Sequence, residues 1–150
     1  MPRENSAGAI IFRIVNSEPH YLLLHYQTGH WEFAKGHIEE GEKIEDTIRR
    51  EIEEETGIKD ITIIPGFKEY SKYFFKKSYD LKGEDKKKAP WVFKLVIFLL
   101  VKTNTGEVKL SSEHIGYAWL PFEEAMGKIT YKNARELLKK ANDFIKLIPQ

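Results

Sequence analysis

Gly36 to Ile58 reads GHIEEGEKIEDTIRREIEEETGI, and the fold turns on this stretch. From Lys43 to Thr56 the apolar residues are Ile44, Ile48 and Ile52, four apart. That spacing draws a narrow apolar stripe along an α-helix and argues against a strand. At roughly 100° per residue, Glu55 projects almost in line with Ile48, Glu51 lies to one side of it, and Glu54 follows on the same side. Carboxylates therefore sit beside the buried face. Removing such a charge from water costs several kcal/mol unless it is compensated. Arg50 is placed to meet Glu54 and, if the preceding turn folds back, Glu42. One guanidinium does not neutralise three or four acids. Clustered oxygen ligands with spare negative charge suit Mg²⁺, which keeps several waters and shares its shell with phosphate. A solvated acidic helix face accounts for Glu45, Asp46 and Glu53, which fall on the opposite side, but accounts poorly for Glu51, Glu54 and Glu55. Gly57 stands where a helix commonly ends in a left-handed residue, with Ile58 returning to the core. Gly36 and Gly41 permit tight turns.

The stretch resembles the Nudix box, G-x5-E-x7-R-E-U-x-E-E-x-G-U with U aliphatic. Gly36, Glu42, Arg50, Glu51, Ile52, Glu54, Glu55, Gly57 and Ile58 fill every fixed position. The resemblance implies hydrolysis of a nucleoside diphosphate linked to another group, on an α/β fold in which a mixed β-sheet lies between helices, an α/β/α sandwich.

Length and composition set the bounds. A chain of 150 residues, 41% hydrophobic, suits one domain spanning 1–150 with a full core. Zero cysteines exclude a disulfide scaffold, thiol catalysis and a cysteine-ligated metal. The longest apolar run, Leu95 to Val101, is too short to span a bilayer, so a cytoplasmic protein without membrane contact is expected. A formal net charge of +1 gives no global field to steer it towards a polyanion.

Outward from the box, Ser6 to Ile14 and His20 to Gln27 read as neighbouring strands joined by a turn from Asn16 to Pro19. Trp31 and Phe33 alternate with Glu32 and Ala34 as in a short strand, and Lys35 follows immediately before Gly36. Its ammonium should lie near the carboxylates, where it would serve a phosphate. Asp60 to Phe75 is strand-like with a bend at Pro65-Gly66, and Lys76 to Pro90 reads as a charged hairpin tip. Trp91 to Thr103 reads as a central strand buried on both faces. A short strand from Glu107 to Leu110, a polar loop from Ser111 to His114 and a strand from Gly116 to Leu120 are expected next. Pro121 to Gly127 reads as a short helix stopped by Gly127. From Tyr131 to Ile148 the apolar residues recur at helical spacing, so an amphipathic helix packs on the sheet.

Beyond the box the resemblance is closest to the asymmetrical diadenosine tetraphosphate hydrolases of the animal and archaeal type. It is carried by SAGAIIF, HYLLLHY, GHWEFAKGHIEEGE, GFKEYSKY, LSSEHIGYAWL and TYKNARELLKKANDFI. By that likeness His30, Lys35, Tyr73 and Tyr131 hold substrate, the two tyrosines against adenine, and Glu113 is a metal ligand or water-activating base. Lys76 and Lys77 are further candidates for the phosphates. Gly36, Glu51, Glu54, Glu55 and Glu113 would hold Mg²⁺, with Mn²⁺ as a substitute, and Arg50 and Glu42 would orient them. The implied substrate is a dinucleoside polyphosphate taken by a monomer, with nucleic acid entering only as an RNA 5′ end. Cleavage of an RNA 5′ end or of nucleoside triphosphates is the alternative within the same family. Two departures bear on preference: Phe33-Ala34 stands where relatives commonly carry Pro-Pro, and the loop from Lys76 to Pro90 is longer than in the animal enzymes.

Overall fold

The structure, a computed structural model, describes residues 3–76 and 90–149, and at Tyr73, Phe75 and Lys76 the backbone alone. Strand β1 spans Arg3–Val15, β2 Glu18–Tyr26, β3 Trp31–Glu32 and β4 Ala34–His37. Helix α1 covers Ile44–Thr56, followed by β5 Ile61–Lys76, β6 Trp91–Thr103, β7 His114–Pro121, α2 Phe122–Lys128 and α3 Lys132–Leu147.

The strands form one mixed sheet in the order β3-β2-β1-β6-β5, with β4 added to β1 and β7 to β2. Strand β1 is parallel to β6 and antiparallel to β2 and β4. β6 lies between β1 and β5 and is buried from Leu95 to Val101, as that apolar run predicts, but it is not buried on both faces throughout: Trp91 is exposed, and Phe93 and Lys94 are only partly covered, where the sheet runs on past α1. α1 covers one face through Ile48 and Ile52, against Ala7, Ile11, Leu99 and Val101. α3 covers the other through Ala134, Leu137, Leu138, Ala141 and Ile145, against Ile10, Phe12, Val96 and Phe98. The α/β/α layering expected from the sequence is therefore present. Truncating a fully buried anchor such as Leu138 would cost about 2–5 kcal/mol. Among the described residues, no helix is long and apolar enough to cross a membrane.

Local departures have local causes. The β1–β2 connection is a two-residue turn, Asn16-Ser17, both at positive φ, so Pro19 already belongs to β2 opposite Ile14. Such turns match the twist of the strands they join. Strand β4 runs through Gly36 to His37, because Gly36 pairs with Ala7 of β1 before the chain turns. Glu107 to Leu110 forms no strand. Its Lys109 amide donates to the Thr56 carbonyl at 2.8 Å, satisfying the end of α1 instead of a sheet edge, while Val108 is buried. α2 extends one residue past Gly127. The bend at Pro65-Gly66 is a bulge in the β5–β6 ladder with Gly66 at φ 94°. Most of the expected tip between Lys76 and Pro90 lies outside the described residues.

Candidate active site

Helix α1 is held at both ends by its own sequence. The Lys43 amide donates to the Asp46 carboxylate at 3.0 Å, and Gly57, at φ 74°, donates to the Glu53 carbonyl at 2.9 Å. Asp46 is thus a helix-start partner as well as a solvated acid. Along the helix Arg50 is the hub of an ion network. Its Nε and Nη2 grip the Glu42 carboxylate at 2.8 and 2.9 Å, and Nη2 also reaches the His37 carbonyl at 3.0 Å. Nη1 donates to Glu51 at 2.7 Å and to Glu54 at 3.3 Å. The Thr47 hydroxyl and Glu39 amide complete the shell of Glu42, both at 2.9 Å. Arg50 foremost holds the Glu42 carboxyl well below its usual range, at about 2. The turn does fold back, as the pairing of Arg50 with Glu42 requires.

Gly36 explains how Glu51 is seated. A Cβ at that position would lie 2.0 Å from the Glu51 carboxyl carbon, so β4 can approach α1 only without a side chain there. Burial pushes the Glu51 carboxyl up, opposed by Arg50. One turn further on, Glu55 is 3% exposed and, among the described residues, no side-chain donor meets either carboxylate oxygen. His114 Nε2, also buried and unpartnered, lies 3.7 Å from Glu55 Oε1. Burial, then the charges of Glu51 and Glu113, raise the Glu55 carboxyl to about 9, and Lys35 opposes this without reversing it. Burial lowers the His114 imidazole, which favours the neutral, ligating form.

Glu113 is brought to this pair by the end of β2. The Gln27 amide donates to the Glu113 carbonyl at 3.1 Å, and the Gln27 side chain donates to the Ser112 carbonyl. One ligand atom from each of Glu55, Glu113 and His114 lies within 4.8 Å of the others. Orphaned buried acceptors with hard oxygen and imidazole donors fit a divalent cation. Glu54 stands apart: its side chain is 58% exposed and its contact is with Arg50.

A cleft of about 340 Å³ adjoins, lined by His30, Glu32, Lys35, Tyr131 and Asn133. The His30 ring stacks on Tyr26 at 4.5 Å and lies 5.5 Å from Tyr131, with its Nδ1 2.8 Å from the Thr28 hydroxyl. Lys35 Nζ meets the buried Glu32 carboxylate at 3.1 Å. Tyr131, 47% exposed, opens α3, and its loop is tied to β3 by Trp31 N–H donating to the Thr130 hydroxyl at 2.8 Å. The structure thus brings Glu51, Glu55 and Glu113 together, and separately His30, Lys35 and Tyr131. Tyr73 and Lys76 are on β5, but their side chains lie outside the described residues, as does Lys77 altogether. A larger groove of about 790 Å³ near the β1–β2 hairpin contains none of these groups.

Sequence reasoning passed over Tyr26, Glu32 and His114. Tyr26 donates to the Phe33 carbonyl at 2.7 Å, stacks on His30 and meets His114 edge-on at 4.5 Å. His114 carried a signal, since it completes the Ser-x-Glu-His segment that pointed to Glu113.

The chain belongs to the NUDIX family, whose domain matches residues 4–141. It is similar to the asymmetrical bis(5′-nucleosyl)-tetraphosphatase of Mus musculus, at 34% identity over 152 residues that cover 93% of this chain and 94% of that one. It superposes on the crystal structure of a C. elegans Ap4A hydrolase binary complex with a TM-score of 0.80 at 27% identity, over 97% of this chain and 99% of the other. An RNA pyrophosphohydrolase from a Sulfurovum species is 28% identical over 125 residues, covering 77% of this chain and 74% of that one.

Proposed function

We propose that this protein is an asymmetrical dinucleoside tetraphosphate hydrolase that splits diadenosine tetraphosphate into ATP and AMP with Mg²⁺, or Mn²⁺ in its place. One observation carries the reading: a buried Glu55–His114 pair whose facing atoms meet no side-chain hydrogen-bond partner among the described residues, flanked by Glu51 and Glu113, beside a cleft lined by His30, Lys35 and Tyr131. The likeness to the mouse enzyme supports the substrate. Glu51, Glu55, Glu113, His114 and the Gly36 carbonyl would hold the cation, with Glu54 at the outer edge. When bound, the cation would withdraw charge from phosphoryl oxygens and acidify water. Glu113, the most exposed carboxylate of the inner cluster, or Glu51 accepts the proton of the attacking water. Arg50, gripped by Glu42, fixes the rotamer of Glu51 and so acts through it. Lys35 neutralises phosphate oxygens once drawn from Glu32, and His30 and Tyr131 hold a nucleoside base between rings, with Tyr73, Lys76 and Lys77 as further contacts. The same reading makes the chain a single-domain, monomeric, cytoplasmic enzyme.

The likeness to an RNA pyrophosphohydrolase keeps cleavage of an RNA 5′ end as the second reading. Product analysis after incubation with diadenosine tetraphosphate and Mg²⁺ in ¹⁸O-labelled water separates them. ATP and AMP, with label in AMP, are expected. Two ADP would contradict the regiochemistry. Turnover of 5′-triphosphorylated RNA alone would move the protein to the second reading.

A further inference from the structure

The sheet face that carries α1 is only partly covered by it. Beyond Leu99 and Val101 the strands run on, with Tyr70 paired to Ile97, Lys72 to Leu95 and Phe74 to Phe93, and with Arg3 of β1 beside Phe93. Directly paired residues share a side of a sheet and alternate along each strand, so this array continues the face of Leu99. Tyr70, Phe74 and Trp91 are 51%, 58% and 51% exposed. Cations are interleaved with the rings. The Arg3 guanidinium lies 5.8 Å from the Phe93 ring and the Lys68 ammonium 5.9 Å from the Tyr70 ring. Arg3, Tyr70, Lys72, Phe93 and Leu95 wall a shallow pocket of about 340 Å³. Among the described residues, β1, β5 and β6 place no acidic side chain on this part of the face.

Clustered exposed aromatics on a soluble domain call for a partner. A second copy of the chain is a poor one, because a two-fold interface would set Arg3, Lys68 and Lys72 against the same cations. Flat rings alternating with cations match a ligand that alternates flat bases with phosphates. We infer that the exposed β5–β6 face, with Arg3 of β1, is a docking site for single-stranded nucleic acid. Bases stack on Tyr70, Phe74 and Trp91 while Arg3, Lys68 and Lys72 meet the backbone. Ala7, which pairs with Gly36 at the carboxylate cluster, is four residues along β1 from Arg3, or about 13 Å at the strand rise. A strand held here therefore extends towards the cluster, yet the inference does not depend on which polyphosphate is cleaved there.

Fluorescence anisotropy of the full chain with a dye-labelled 12-nucleotide oligoadenylate, bearing a 5′-hydroxyl and tested as RNA and as DNA, decides the matter. Saturable binding is expected, weakening with salt at a log–log slope of about −0.7 for each phosphate neutralised, with Trp91 emission changing on addition. Equal affinity for RNA and DNA would assign recognition to bases and phosphates, and a preference for RNA would add contacts to the 2′-hydroxyl. Tyr70→Ala should weaken binding roughly 5- to 100-fold and Tyr70→Phe should retain it. Lys72→Glu, an exposed change that leaves packing alone, should weaken binding and lower the salt slope. Both Tyr70→Ala and Lys72→Glu should leave hydrolysis of diadenosine tetraphosphate unchanged, so failure of the substrate reading and failure of this one are told apart. Absence of binding at 100 µM protein, on the order of nonspecific affinity, would overturn the inference. So would equal binding by the variants, or a dimer in sedimentation that Phe74→Ser dissociates without any affinity for the oligonucleotide.

Discussion

Two carboxylates, Glu42 in the turn before α1 and Glu55 near the end of that helix, end up in opposite electrostatic states. Glu42, gripped by Arg50 and met by two further donors, the Glu39 amide and the Thr47 hydroxyl, is complete within the chain and its carboxyl is held down at about 2. Glu55, five residues beyond Arg50, is buried, meets no side-chain donor among the described residues and is pushed up to about 9. The difference separates framework from function. A carboxylate such as Glu42, with both oxygens taken by donors of the chain, is finished once folded, whereas one buried beside Glu51, Glu113 and a neutral imidazole is finished only by a cation.

Removing the charge from the incomplete group tests that contrast most severely. Glu55→Gln should lower kcat by about 10³-fold or more, since a ligand charge at the reacting phosphorus is lost, while circular dichroism shows an intact fold. Turnover at the wild-type rate would remove Glu55 from the metal site.

The two groups should also leave opposite marks on a stability–pH curve of metal-free protein. For Glu55 the unfolded carboxyl sits at 4.5 and the folded one at about 9. Its contribution is therefore fully present below 4.5 and is lost as pH rises towards 9, on the order of a few kcal/mol. For Glu42 the folded value is depressed to about 2, so its contribution is present above 4.5 and lost as pH falls through about 2. Thermal melts in EDTA should show Tm declining from pH 5 to pH 9, with Glu55→Gln flattening the slope and added Mg²⁺ restoring Tm at pH 8. A flat profile in the unmodified chain would sink the assignment of a strained, raised carboxyl.

Gly36→Ala probes the join between the groups, because the new methyl occupies the space of the Glu51 carboxyl that Arg50 holds. Metal affinity should fall about 10- to 100-fold, read by Mg²⁺ titration of turnover, and wild-type affinity would show that Glu51 is free to move. Tyr131→Ala should act on neither group. It should raise KM about tenfold, the worth of one ring–base contact, with kcat nearly unchanged in initial-rate kinetics, and a loss confined to kcat would contradict a base-holding role.

Much of this was legible in the chain. Ile44, Ile48 and Ile52 fix the helix, and the placement of Glu55 in line with Ile48 already marks it as buried, as the structure shows at 3% exposure. Gly57 and the Pro65-Gly66 bulge also behave as their residue types demand. What escaped depends on partners distant in sequence. Nothing near Glu107 to Leu110 tells that Lys109 will bond to the end of α1 rather than to a strand. Tyr26 and Glu32 read as strand residues until β2, β3 and β7 are laid together, when one supports His30 and His114 and the other holds Lys35. Glu54 fits the metal-ligand spacing, yet its side chain turns to Arg50 and solvent.

The parallel pairing of β1 with β6 has a consequence for how the protein comes into being. Arg3 to Phe12 must await Phe93 to Lys102 on one edge, so β1, although it can pair early with β2 and β4, gains its parallel neighbour only after α1 and β5 have been made. His114 and Glu113 emerge later still, on the segment that closes against β2. A nascent or truncated chain can therefore form the acidic helix without its buried imidazole partner. Hydrolytic competence should arrive in a single late step of synthesis rather than grow with length.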